Sequence, residues 1–281
     1  MSGVQLGWLP DGRLHLNHGP IDLIIGIFGP DLAVRDAFSR AIARFDGLLE
    51  ELVAELPTLR SEAPQPLRGT VAQAMAAAVT PHRPAFITPM AAVAGAVADA
   101  VLEAAVGPMV ARAYVNNGGD IALYLAPGQA LRCAVAQAGA AGLVTIRHAD
   151  GVRGIATSGW RGRSFSMGIA DAVTVLAASA ASADAAATMI ANAVDLPGHA
   201  AISRRPATDL QADSDLGCRL VTVAVGPLTS GEIACALDRG VAAAEALRRR
   251  GVIAAAALFL HHELRTLGQI LLARTPEPCL D

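Results

Sequence analysis

The sequence predicts a chain that holds both strands and helices, and two kinds of observation lead there. Tight-turn signals join strand-like runs at Pro10-Asp11-Gly12 and at Asn117-Gly118-Gly119-Asp120, where Asn-Gly marks a hairpin. Elsewhere, long segments repeat apolar residues every three to four positions, the period of a helix with one buried face. A chain of 281 residues with 53% hydrophobic content can bury a large core, as one large domain or two small ones.

The first hairpin leads into the apolar run IDLIIGIF, a strand. Pro30 suits the first position of a helix in which Phe38, Ile42, Phe45, Leu49, Leu52 and Val53 recur at helical spacing until Pro57 stops it. Arg35, Asp36, Arg40, Glu50 and Glu51 form its solvated face. Residues 57–69, PTLRSEAPQPLRG, carry three Pro and read as a linker or long loop, the best internal boundary.

Next come a helix, VAQAMAAAVT, and an irregular connection, TPHRPAFITP, where His82 beside Arg83 either reaches a phosphate or is a surface residue. The helix PMAAVAGAVADAVLEAAV follows. Its small residues Ala91, Ala92, Ala94, Gly95, Ala96 and Ala98 admit either tight helix packing or a close ligand. The strands around Asn117-Gly118-Gly119-Asp120 form the second hairpin; its two Gly permit unusual backbone angles, with Asn116, Asn117 and Asp120 supplying polar groups. Further strands are expected at 130–136, at 142–147 and in VRGIATSG, which ends in Ser158-Gly159. The loop WRGRSFSMG, with Arg161, Arg163, Ser164 and Ser166, could hold an anion or simply be solvated.

The segment 168–194 reads as a short apolar strand running into an Ala-rich helix. On that helix Asp184 and Thr188 are four apart, so their oxygens lie one turn above each other on a single face. Two hard oxygen donors in an apolar helix suggest a cation, or a phosphate ester held by one. The alternative is that Ser182 caps the helix and Asp184, in its first turn, complements the dipole. In the last third, CRLVTVAV is a strand, and Thr229 with Glu232 forms a capping box for a helix ending in three Arg before Gly251. IAAAALFL is a buried strand. His261 and His262 beyond it are a poor metal pair, since neighbouring side chains point to different sides.

Composition excludes several functions. The net charge of −3 and the lack of a basic block argue against a dedicated nucleic-acid surface. All 22 cationic residues are Arg, which removes Schiff-base catalysis, a Walker-type phosphate loop and Ser/Lys nucleophile pairs. Cys133, Cys218, Cys235 and Cys279 are widely spaced, without C-x-x-C, and make no disulfide framework. The N-terminus shows no charged start followed by an apolar stretch, so a cytoplasmic location is expected. The longest apolar runs are too short to span a bilayer, so no membrane partner is expected either. Self-association into a homo-oligomer stays open.

PMAAVAGAVADAV, VNNGGDIALYL, IATSG and ADAVTVLAASAASADAAATMIANAV resemble, in this order, the motifs of the ApbE-like proteins that carry a provisional UPF label. They are more distantly similar to the FAD:protein FMN transferases, which share an N-x-GGD turn, an SG segment and an AD-x-x-x-T helix. The resemblance is clear over 87–194 and elsewhere follows only the order of elements. It implies a single ApbE-like α+β domain over 1–281, with mixed or antiparallel sheets and packed Ala-rich helices. It also implies Mg²⁺ held by Asp184, Thr188 and a backbone carbonyl of Ala92 or Ala94, where the ion would bridge the pyrophosphate of FAD. Asn116, Asn117, Gly118, Gly119, Asp120, Ser158 and Gly159 would then line the pocket for FAD or FMN. The transferases carry Lys-Gly in the small-residue segment and His-x-x-Asp-Pro-x-Thr-Gly after the SG block. Here Ala94-Gly95 and RSFSMGIADAV stand instead. Two classes of function follow: an Mg²⁺-dependent enzyme acting on a flavin nucleotide or another phosphorylated small molecule, or a ligand- or partner-binding protein that keeps the fold.

Overall fold

The computed structural model describes residues 3–135, 142–269 and 273–274. In chain order the strands are β1 (Gln5–Trp8), β2 (Leu14–His18), β3 (Ile21–Phe28), β4 (Arg112–Asn117), β5 (Asp120–Leu125), β6 (Ala130–Val135) and β7 (Gly142–Arg147). They continue with β8 (Gly154–Ser158), β9 (Ala172–Ala177), β10 (Ile202–Pro206), β11 (Leu220–Val225), β12 (Ala255–Leu260), β13 (Glu263–Leu267) and β14 (Ala273–Arg274). The helices are α1 (Asp31–Phe45), α2 (Leu48–Ala54), α3 (Leu56–Leu59), α4 (Thr70–Val79), α5 (Val93–Ala105), α6 (Ala180–Ala193), α7 (Ala207–Leu210) and α8 (Ser230–Arg249). The fold is α+β. No helix among the described residues is long and apolar enough to cross a membrane.

The chain divides into two compact units. The first comprises Met1–Gln129, Arg147–Ala156 and Leu176–Ala186. Its strands lie in the order β1-β2-β3-β4-β5-β8, each antiparallel to its neighbours. Alternation decides which face is buried: Leu14, Leu16, Leu23, Ile25 and Val115 are fully covered, and Ile25 stands between Leu14 and Val115 in register. Helices α1 and α5 pack on each other. Arg40 of α1 donates to the carbonyls of Ala104 (3.0 Å) and Ala105 (2.7 Å), groups that the end of α5 leaves without partners in its own helix.

The single helix expected from Pro30 to Pro57 is broken. Gly47 takes φ 77°, a conformation that interrupts the helical run between α1 and α2, and Pro57 lies in the first turn of α3. Pro30 is the residue before the first helical one. The Pro-rich stretch 57–69 lies inside the first unit. Its far end is tied back, because the Glu55 carboxylate accepts from the N–H groups of Arg68 (2.8 Å) and Gly69 (2.7 Å).

The second unit comprises Ala130–Ile146, Thr157–Val175 and Ala187–Asp281. It carries the strand order β9-β12-β13, the antiparallel pair β10-β11 and the order β14-β7-β6. All six residues of β12 are buried, which accounts for its unbroken apolar sequence, and α8 packs against β12 and β13. The capping box of α8 forms as expected: the Thr229 N–H donates to Glu232 Oε2 at 2.7 Å, and the Glu232 N–H to Thr229 Oγ1 at 3.4 Å. His261 and His262 make the turn between β12 and β13. The end of the strand expected at 130–136 falls at residue 136, outside the described residues.

Candidate functional site

The start of α6 is held by α5, its partner in the first unit. Ser179 precedes the helix, and its Oγ accepts from the Ser182 N–H at 3.1 Å. The capping hydroxyl is therefore Ser179 and not Ser182, and Asp184 lies in the second turn rather than the first. The Ala180 and Ala181 N–H groups donate to Asp99 Oδ1 and Oδ2 of α5, at 3.0 and 2.9 Å. Three otherwise orphaned donors of the first turn are thus satisfied. Two glycines make the approach possible. A Cβ on Gly95 would stand 2.3 Å from the Ala180 carbonyl oxygen, and one on Gly154 would stand 2.1 Å from the Ser179 carbonyl carbon. The small residues of α5 accordingly serve close helix packing at Gly95.

One turn into α6, Asp184 Oδ2 accepts the Gly95 N–H at 3.0 Å. Burial pushes the Asp184 carboxyl well above the usual carboxylate range, and the charge of Asp120 pushes it further; the N–H groups of Gly95 and Ala94 oppose both. The residue as a whole is half-buried, and protein encloses its carboxylate.

The hairpin between β4 and β5 reaches the same place. Asn117, 6% exposed, donates from Nδ2 to the Ala94 carbonyl at 3.1 Å and so links the hairpin to the first turn of α5. Asn116 closes the turn itself, its Oδ1 accepting the Gly119 N–H at 2.8 Å, while Gly118 and Gly119 take φ 64° and 115°. Ala92, fully buried, immediately precedes α5. The first unit therefore brings together Ala92, Ala94, Asn117, Asp120 and Asp184, with Asn116, Gly118 and Gly119 forming the adjoining turn.

Thr188 lies one turn further along α6 and is counted in the second unit, as are Ser158 and Gly159. At Gly159 a Cβ would stand 2.4 Å from the Asp171 carbonyl oxygen, so close backbone packing accounts for the glycine without a ligand. The loop after it is less free than its arginines suggest. Arg161 Nε and Trp160 Nε1 both donate to Asp171 Oδ1, at 2.6 and 3.2 Å, and Ser166 is buried against Asn192. His82 is buried rather than on the surface.

Asp99 is the residue that sequence reasoning passed over. Its helix is apolar and Ala-rich like that of Asp184 but carries a second acid, Glu103, and its partners lie 81 and 82 residues away.

The family model described as AbpE bacteria matches residues 6–269, and the chain belongs to that family. Similar proteins include the UPF0280 protein of Methanothermobacter thermautotrophicus, 38% identical over 117 residues, which cover 41% of this chain and 46% of that one. The UPF0280 protein of Methanothrix thermoacetophila is 40% identical over 113 residues, 38% of this chain and 46% of the relative. That of Methanopyrus kandleri is 38% identical over 133 residues, 43% and 48% of the two chains. The chain spans about half the length of the curated relatives it matches.

Proposed function

We propose that the chain is an Mg²⁺-dependent enzyme acting on a flavin nucleotide or another phosphorylated small molecule, as a transferase or phosphoanhydride hydrolase of the ApbE-like kind. Asp184 carries this reading. Its carboxylate is enclosed beside the charge of Asp120, is met by backbone N–H groups, and pairs with no guanidinium or imidazole among the described residues. A carboxylate in that position is relieved by a proton or by a cation.

The donor set fits Mg²⁺. The Asp184 carboxylate, the Thr188 hydroxyl and a carbonyl from Ala92 or Ala94 are hard oxygens, and they are too few to fill an octahedral shell without water and phosphate oxygens. When bound, the ion would neutralise charge on the phosphate oxygens as the anhydride bond breaks. The protein's own part is positioning. Asn117 fixes the Ala94 carbonyl, and Gly119 leaves open space around its backbone for a ligand. Asn116, Asn117, Gly118, Gly119, Asp120, Ser158 and Gly159 are the groups proposed for the nucleotide. Ala94-Gly95, where the transferases have Lys-Gly, favours the second reading, a binding protein that keeps this fold.

Calorimetric titration of Mg²⁺ with and without FAD or ADP separates the two. In the enzyme reading, metal affinity is weak alone and rises sharply with nucleotide, since each ligand completes the other's site. Asp184→Asn abolishes the coupling and Thr188→Val weakens it less. An absence of coupling with any nucleotide selects the binding-protein reading.

A further inference from the structure

A groove of about 370 Å³ opens in the first unit, lined by residues other than those assigned above to metal and nucleotide. One wall is a stripe along α5 and just past its end, with Asp99, Leu102, Glu103 and Val106 at spacings of three and four. The other wall comes from Leu123 and Tyr124 of β5 and from Arg153, which precedes β8. The volume lies in the range of small-molecule sites, and the lining has their usual character, apolar with a few charged groups.

The charges of this groove do not satisfy one another. Asp99 accepts only backbone N–H groups, at 3.0 and 2.9 Å, and Glu103 is exposed, without an ion pair among the described residues. Arg153 donates from Nη1 to the Val152 carbonyl at 2.8 Å and from Nη2 to the His148 carbonyl at 3.3 Å, and it pairs with neither acid. Two backbone carbonyls thus hold the guanidinium while carboxylates line the same space. Burial pushes the Asp99 carboxyl up to about 6, with Glu103 adding to the shift, as expected of acids that lack a counter-charge.

We propose that this groove binds a small zwitterion of the apolar amino-acid type. An ammonium answers Asp99 and Glu103, a carboxylate answers the Arg153 fork, and an apolar body packs on Leu102, Val106, Leu123 and Tyr124. A plain amine leaves Arg153 unpaired. A phosphate or nucleotide meets two carboxylates, so the groove is not a second route to the ligand of Asp184.

The test uses the full chain, with leucine and phenylalanine as probes and with isovalerate and isopentylamine as halves carrying one charge each, read by saturation-transfer NMR and calorimetry. At least one amino acid is expected to bind at least about tenfold more tightly than either half, because each half forfeits one charge-assisted contact. Glu103→Gln, on the exposed rim, should weaken the amino acid and isopentylamine while sparing isovalerate; Arg153→Gln should do the reverse for the two halves. Thermal melting of both variants checks the fold, and the Glu103 variant decides if Arg153→Gln is unstable. The proposal is overturned if neither amino acid binds, if a half binds as well as the whole, or if Glu103→Gln changes nothing. Binding that requires Mg²⁺ would also overturn it, by assigning the ligand to the Asp184 site.

Discussion

Asp99 and Asp184 each cap the helix that carries the other. Asp184, on α6, accepts the Gly95 N–H near the start of α5, while Asp99, on α5, accepts the Ala180 and Ala181 N–H groups that open α6. The two arrangements correspond in position: Asp99 is four residues beyond Gly95, and Asp184 four beyond Ala180. Each carboxylate sits at the positive end of a helix dipole, where negative charge is favoured, yet both are held above the usual carboxylate range by burial.

The exchange predicts how stability depends on pH. The ordinary carboxyl value is 3.8 and that of Asp99 in the folded chain is about 6, so between these values the folded state holds a proton that the unfolded state has released. The Asp99 contribution to stability is therefore lost as pH rises from about 4 through about 6. Denaturant melts across that window should show this fall, and Asp99→Asn should flatten it. The substituted amide would give up one cap bond, so the slope, rather than the absolute stability, is the readout. An unchanged slope in the variant would contradict the assignment.

Asp120 and Asp184 are electrostatically linked, and the link can be read directly. Carboxyl ¹³C NMR should find Asp184 titrating above the ordinary range in metal-free protein. Asp120→Asn should bring it down, because one of the two main causes of the shift is removed. Asp184 in the ordinary range in the parent chain would show that its enclosure is looser than described.

Gly95 and Gly154 should tolerate nothing larger. Alanine at either drives a Cβ into backbone that belongs to the start of α6, and backbone cannot swing aside, so a loss of ~3 kcal/mol or more is expected. Gly118→Ala and Gly119→Ala differ in kind. Gly119 has open space around it, and both residues are constrained by positive φ, so a loss of about 1 kcal/mol or more is expected for each. Denaturant midpoints of the four variants would rank them; equal effects would mean that steric approach is not what fixes the helix.

The three cysteines among the described residues should react in two classes; Cys279 lies outside them. Cys218 and Cys235 are exposed, whereas Cys133 is buried on β6 with its thiol pushed up to about 11 by burial. A thiol reagent at neutral pH should modify the first two in native protein and Cys133 only after unfolding. Cys133→Ser should remove that late step, and rapid native labelling of Cys133 would contradict its burial.

Local signals were legible in the sequence. The turn at Gly118 and Gly119, the Thr229 capping box and the α6 segment around Asp184 were readable because a few neighbouring residues decide them. The single helix expected up to Pro57 failed at Gly47, where one glycine outweighs a continuing apolar period. The pair β10-β11 was half visible: LVTVAV reads as a strand, but its partner ISRRP carries charges where alternation would need apolar residues. The capping role of Asp99 was not legible at all, since nothing near position 99 names a partner in another helix.

That separation also bears on how the chain reaches its fold. The bonds that Asp99 gives the start of α6 join residues 81 and 82 apart, the one that Asp184 gives the start of α5 joins residues 89 apart, and helix initiation is the costly step of helix formation. An Ala-rich segment can flicker into helix alone, with Ser179 as its local cap, but two of the donors in its first turn are satisfied only when α5 arrives with Asp99. Contacts at such separation must close a long loop before they form, which slows the approach to the native state. The carboxylate proposed to hold the metal is thus fixed by a contact between residues far apart in the chain, whereas the β4-β5 hairpin beside it is closed by neighbours in sequence.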